Sequence, residues 1–177
     1  MKNEYEIRGE VTAIIINSPK YGRHEALIST TNIERLKLFP NSWCVKWSDT
    51  SKSFYVIGNV SKEYGKTKKI LLHRWLTNAP DGMDVDHVDN NSLNNVNSNL
   101  RVISRAENQQ NPRGARSHNP SGIRGVTWKK SHKKWCVQIR INNVSKHIGL
   151  FDNIEKAEFA AIEARKKYMP FSKEASA

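Results

Sequence analysis

Asp86 and His87 stand side by side, and Asn94-Asn95, Asn99-Leu100-Arg101 and Glu107-Asn108 follow them. These residue types suit hydrolysis of a phosphodiester by water, which makes three demands. A base must take a proton from the water, and imidazole, titrating near neutrality, is suited to that. A divalent cation must hold the scissile phosphate and the leaving oxygen. Carboxylate and amide oxygens are hard donors that suit Mg2+ or Mn2+. A further amide oxygen can accept from the second imidazole nitrogen and fix the tautomer. A lone Asp-His pair is more often structural, so the weight rests on the set and its spacing.

The elements that must position this set can be read around it. Met83 to Val88 is short and alternating, as in a strand, and Leu100 to Ile103 reads as a second strand. Between them runs an asparagine-rich loop, Asp89 to Ser98. Ser104 and Glu107 have capping-box spacing, so a short helix starts there and stops before Pro112. In this strand–loop–strand–helix unit Asp86 and His87 point to opposite sides of one strand, unless its end twists. Asn99 opens the returning strand opposite them, and Asn108 lies on the helix packing across the pair. Asn90, Asn91, Asn94, Asn95 and Asn97 read as loop residues that tolerate left-handed backbone and cap turns, and Asp89 as a solvated turn residue.

Together with Leu72-His73-Arg74 and the run Val85-Asp86-His87-Val88-Asp89-Asn90, these residues resemble an HNH endonuclease of the phage and intron-homing type, over about 73–111. The resemblance implies a ββα-metal unit. It implies His87 as general base, Asn99 as its orienting partner, and Asp86 with Asn108 as ligands of one divalent cation, Mg2+ or Mn2+. Asn108 stands where many members carry the final histidine of the family name, which shifts the preference toward oxygen-liking ions. His73 and Arg74 either contact phosphate or brace the site, and bracing is the better reading of His73.

The chain before this unit is β-rich. Val11 to Ile16 and Ala26 to Ile28 are apolar runs around a turn at Asn17 to Gly22, and Asn32 to Leu38 suits one or two helical turns. Trp43 to Trp47 and Phe54 to Ile57 look like paired strands, with Trp43 and Trp47 on a core face. Ile70 to Leu76 is apolar, and Asn78 to Gly82 forces a turn.

Charge divides the chain. Residues 1–111 carry 15 basic and 12 acidic side chains, whereas residues 112–177 carry 14 and 5, so the last third holds +9 of the net +12. Such a basic segment beside a near-neutral one suggests a part that grips a polyanion and a separate working part. Residues 111–121 are Pro-, Gly- and Arg-rich and read as a linker. Strands are expected at Ile123–Trp128, Trp135–Ile141 and Lys146–Leu150. Asp152 or Asn153 then caps a helix to about Tyr168 that buries Ala157, Ala160, Ala161, Ala164 and Tyr168.

Gly122-Ile123-Arg124-Gly125-Val126-Thr127-Trp128, Lys134 to Arg140, His147 to Asp152 and the helix after them resemble the Apetala-2/ERF DNA-binding domain, from Ser121 to Tyr168. That resemblance implies a sheet laid in the major groove, with Arg124, Thr127, Lys129, Gln138, Arg140, Ser145 and His147 at contact positions. Thr127, Gln138, Ser145 and His147 differ in type from the plant pattern, so the plant target sequence does not carry over. Lys146, Arg113 and Arg116, like Arg74, are candidate phosphate contacts.

Two cysteines exclude a disulfide scaffold and a four-cysteine zinc site, and fit a reducing cytosol. No apolar run approaches the ~20 residues of a membrane span, and the first residues lack the apolar region of a secretion signal. The expectation is therefore an α+β chain: a β-rich segment with an HNH ββα-metal nuclease unit (1–111), a linker (112–120), and a three-stranded antiparallel sheet on one helix (121–177). Its partner is double-stranded DNA, in the cytoplasm of a host cell if phage-encoded. It acts as a monomer or weak dimer, with no obligate protein partner and no membrane. The rival expectation is a DNA-binding regulator with a silent HNH unit. Retention of Asp86, His87 and Asn99 speaks against it.

Overall fold

A computed structural model describes residues 1–61, 67–112, 114–115, 118–141 and 144–175. Arg113 and Arg116, both candidate phosphate contacts, and the turn expected at 142–143 lie outside the described residues. The chain is mixed α+β and rich in strands. It divides into two compact units, Met1–Ile103 and Ser104–Ala177.

In the first unit β1 (Tyr5–Arg8), β2 (Val11–Ser18) and β3 (Gly22–Ser29) form an antiparallel meander. The β-branched run in β2 buries Ile14 and Ile16 against Ala26 and Ile28 of β3. After the short helix α1 (Ile33–Lys37), β4 (Trp43–Ser48), β5 (Ser53–Ser61) and β6 (Thr67–Leu71) make a second sheet. Trp43 pairs with Gly58 across β4 and β5, and its indole stacks on Phe39 with centroids 4.0 Å apart. Phe39 fills the space where a side chain on Gly58 would lie, so only hydrogen is tolerated there.

The apolar stretch from Ile70 to Leu76 does not form one element. Ile70 and Leu71 end β6, and α2 (Leu72–Thr77) begins at once, burying Leu72, His73 and Leu76. Leu72 and Leu76 lie one turn apart on the same face and join the core with Ile14, Ile28, Phe39 and Trp43. Asn78, at φ 50, takes the left-handed conformation that ends the helix. β7 (Asp84–His87) follows and pairs antiparallel with β9 (Leu100–Ile103). Between them β8 (Asn94–Asn95) joins the N-terminal sheet, parallel to β3, giving the order β1-β2-β3-β8. The N-terminal meander thus grips the loop of the strand–loop–strand unit.

The second unit begins with α3 (Arg105–Asn108), whose capping box forms as expected between Ser104 and Glu107. β10 (Val126–Lys129), β11 (Lys134–Ile141) and β12 (Val144–Phe151) form an antiparallel sheet. α4 (Ile154–Tyr168) packs on one face, with Ala157 and Ala161 against Val126 and Val137. Its N-cap is Asn153, whose side chain accepts from the Glu155 and Lys156 amides. The division into units falls ahead of the linker expected at 112–120, because the end of the α3 segment is held by the C-terminal fold. The Gln110 carbonyl accepts from Arg124 at 3.0 Å, its side chain accepts from the Phe171 amide at 3.3 Å, and Asn111 is buried.

Candidate active site

β7 brings Asp86 and His87 to its C-terminal end, where they are 7% and 6% exposed. Asp86 lies opposite Arg101 in the β7–β9 ladder, and the two form an ion pair at 2.7 Å. In the sequence Arg101 stands beside Asn99 and Leu100 with nothing to mark a role. Strand pairing, which places it across from Asp86, supplies the signal that spacing alone did not.

His87 finds its partner in β8. Its Nε2 lies 3.2 Å from Asn95 Oδ1, and Asn95 is 1% exposed. Asn95 was expected as a loop residue that tolerates left-handed backbone or caps a turn; it is instead a buried residue of β8. The side chain of Asn99, expected to orient His87, turns to the loop instead. Its amide nitrogen donates to Asp89 Oδ1 (2.9 Å) and the Asn94 carbonyl (2.7 Å), and its oxygen accepts from the Asp89 amide (2.9 Å). Asn95 and Asn99 are only four positions apart in sequence, and the pairing of β8 with β3 determines which of them faces the imidazole.

Asp89 departs from the expected solvated turn. It accepts from the Asn91 amide and from the Asn94 and Asn99 side chains. Burial alone would raise its pKa, but these three donors together hold it below the usual carboxylate range. Asn90, at φ 64, is a left-handed turn residue as expected. Ser92 ties the loop to β5, donating its hydroxyl to the Phe54 carbonyl and accepting from the Ser53 hydroxyl at 2.5 Å.

Behind the site, His73 is 5% exposed, its ring edge-on to His87 at 5.1 Å and to Tyr55 at 6.0 Å. Burial, reinforced by the neighbouring His87 and Arg74, lowers its pKa to about 3 and keeps it neutral. His73 thus packs against His87 as a neutral ring. Arg74 follows it in α2. Its guanidinium donates to the carbonyls of Met83, Ala79 and Pro80, clamping the turn into β7. Asn108 is the last residue of α3 and belongs to the second unit. Among the described residues no group of three or more His, Cys, Asp or Glu side chains gathers around a common point.

Residues 78–110 match the HNH endonuclease family. A 56-residue stretch, 32% of this chain, is 39% identical to Protein 3.8 of Escherichia phage T7 and covers 46% of that protein. A 113-residue stretch, 58% of this chain, is 33% identical to an uncharacterised HNH endonuclease of Acanthamoeba polyphaga mimivirus and covers 57% of it. The chain thus spans about half the length of these curated relatives, both of them viral. No solved structure matches the chain. The HNH match contains Asp86, His87, Asn95, Asn99 and Asn108.

In the second unit the sheet has two unlike faces. Val126, Val137 and Ile139 turn to α4, while Thr127, Lys129, Gln138, Arg140, Ser145 and His147 are exposed on the other side. Cross-strand pairing sets Gln138 beside His147 and Arg140 beside Ser145. Two expected contacts are not on this face. Lys146 pairs with Ile139, and its ammonium lies 4.4 Å from the Tyr168 ring on the helix side. Arg124 is turned inward: it donates to the Gln110 carbonyl, and Arg165 in turn donates to the Arg124 carbonyl. Burial, with the charge of Arg165 beside it, lowers the Arg124 pKa. Arg124 holds the unit together because its backbone turn points it at the 110 segment, which a contact position carried over by resemblance could not convey. No helix among the described residues is long and apolar enough to cross a membrane.

Proposed function

We propose that this chain is a metal-dependent DNA endonuclease of HNH type, brought to double-stranded DNA by the open sheet face of its second unit. One observation carries the reading: within the HNH match, an aspartate and a histidine are buried side by side at a strand end, each with a hydrogen-bonded partner. His87 acts as general base. It takes a proton from water while the water oxygen bonds to phosphorus and the bond to the leaving oxygen breaks, solvent returning a proton to that oxygen. Asp86 and Asn108 are the residues that would hold the cation. They offer few donors, all hard oxygens, which fits Mg2+ or Mn2+ retaining several waters. When bound, such an ion supplies positive charge to the phosphate and the leaving oxygen. Asn99 serves by fixing the Asp89 loop, and Arg101 by holding the Asp86 carboxylate.

The sheet resembles the Apetala-2/ERF domain, and the exposure of Thr127, Lys129, Gln138, Arg140, Ser145 and His147 on one face supports DNA contact there. A single site of this kind cuts one strand per binding event. The viral relatives favour a phage or virus source. The test is incubation of supercoiled DNA with the protein and Mg2+ or Mn2+, beside His87→Ala. Nicked or linear product from wild type alone is expected. No product with either ion refutes the nuclease reading, and equal cutting by His87→Ala refutes the assigned base.

A further inference from the structure

We propose that the outer face of α4 is an interface with a second copy of this chain, the two helices lying antiparallel about a two-fold axis with Phe159 at its centre. The interface goes beyond the nuclease reading and does not rest on it.

α4 packs on its own sheet through small residues, Ala157, Ala161 and Ala164 being buried. Phe159 stands two positions past Ala157, about 200° around the helix from it, and is 68% exposed. One exposed aromatic is ordinary on a protein surface. The residues that share its face set this one apart. Steps of three or four positions along the outer face give Glu155, Phe159, Ile162 and Lys166. Glu155 and Lys166 are exposed and Ile162 is half-buried. Glu158 lies about 100° from Phe159, off this stripe. The stripe is acidic at its start, apolar in its middle and basic at its end.

A stripe in this order is its own complement when reversed. Residues 155 and 166, like 159 and 162, are evenly placed about the midpoint between Ala160 and Ala161. A two-fold axis through that midpoint sets Phe159 on Ile162 of the second copy and Glu155 on its Lys166, and each contact occurs twice. On one flank Glu163 approaches Lys156 of the second copy. Lys166 is already held at 3.1 Å by Glu163 of its own helix, and an ammonium has further donors for a second carboxylate. Parallel helices would instead set Glu155 on Glu155 and Lys166 on Lys166. The two charged ends are roughly 16 Å apart along the helix, about twice the Debye length at physiological salt, so each end favours or opposes pairing independently.

α4 has 15 residues, so it is about 22 Å long and about 10–12 Å across with its side chains. Two such helices cover less than the roughly 1,200–2,000 Å2 of a stable interface, which sets the dissociation constant on the order of 100 µM. Weak pairing suits copies held on one DNA molecule, where effective concentration takes the place of affinity. A two-fold pair meets inverted half-sites and carries two HNH units, one for each strand on the nuclease reading.

Sedimentation equilibrium of the full-length protein, without DNA and at about 0.15 M salt, reads the association directly, since screening there weakens repulsion between the +12 chains beyond contact range. A monomer–dimer equilibrium is expected, and a wild type that stays monomeric up to about 1 mM overturns the proposal. Phe159→Ala should remove association from the measurable range. Glu155→Lys and Lys166→Glu should each weaken it about 5- to 30-fold, because each change turns two attractive pairs repulsive. The double variant Glu155→Lys, Lys166→Glu should restore it to within about threefold, since reversal of both ends regenerates both pairs. The three side chains are exposed, so circular dichroism melts should show the variants folded. Association unaffected by Phe159→Ala places the contact elsewhere and overturns the proposal. Single variants that weaken association with no recovery in the double variant overturn the antiparallel pairing.

Discussion

Acidification should destabilise the first unit through His73, which is buried behind His87. His73 is 5% exposed, packed between the rings of Tyr55 and His87, and its pKa falls from 6.5 to about 3, chiefly because burial disfavours the charged form. The unfolded chain takes up this proton near 6.5, and the folded chain only near 3. Between those values the unfolded state binds more protons, so stability falls as pH falls. The contribution is whole above pH 6.5 and is lost at about 1.4 kcal/mol per pH unit below it. By about pH 5 the loss is ~2 kcal/mol, a substantial share of the roughly 5–15 kcal/mol that holds a domain folded. The control is His73→Leu, which has no proton to take. Urea unfolding is followed by tryptophan fluorescence in a Trp128→Phe, Trp135→Phe background, so that Trp43, Trp47 and Trp75 of the first unit report. Subtracting the variant removes the titration of the carboxylates. The difference in stability between wild type and His73→Leu should move by ~2 kcal/mol between about pH 7 and about pH 5. A difference constant to within a few tenths of a kcal/mol would show that His73 is not held neutral by burial.

Two other perturbations test packing and the division of labour in the sheet. Gly58→Ala should cost about 2–3 kcal/mol, because the new methyl collides with Phe39, itself fully buried and stacked on Trp43; the denaturant midpoint measures it. Arg140→Ala should weaken DNA binding and reduce the slope of log affinity against log salt by about 1, if it meets phosphate or base on the open face. Arg124→Ala should leave that slope unchanged and lower the melting temperature of the second unit, since it removes the bond to the Gln110 carbonyl. Exchange of these two outcomes would return Arg124 to the DNA face.

Much of the fold was legible because local chemistry dictates it. The capping box at Ser104 and Glu107, the Asn153 cap and the alternation of Lys134 to Ile141 each depend on neighbours within a few residues, and each forms as read. The strand pair around Asp86 and His87 was legible for the same reason. What the local sequence did not convey depended on distance. The run Ile70 to Leu76 has no local mark dividing strand from helix, and tertiary packing of Leu72 and Leu76 into the core divides it. Arg74, Arg124 and Lys146 have identical charge in sequence, and only their surroundings send them to carbonyls or to an aromatic ring.

The sequence by itself determined which chemical groups are present: a base, a carboxylate, a surplus of amides, and a basic last third. Their order along β7 and β9 follows from periodicity. The tertiary structure alone decided which amide serves which group. Asn94, Asn95, Asn97 and Asn99 are the same residue type within one loop, so no local signal distinguishes them. The parallel pairing of β8 with β3 does, by burying Asn95 against His87 and leaving Asn99 to hold Asp89. A hydrogen-bond partner is chosen by geometry across the fold, and a buried polar group must have one.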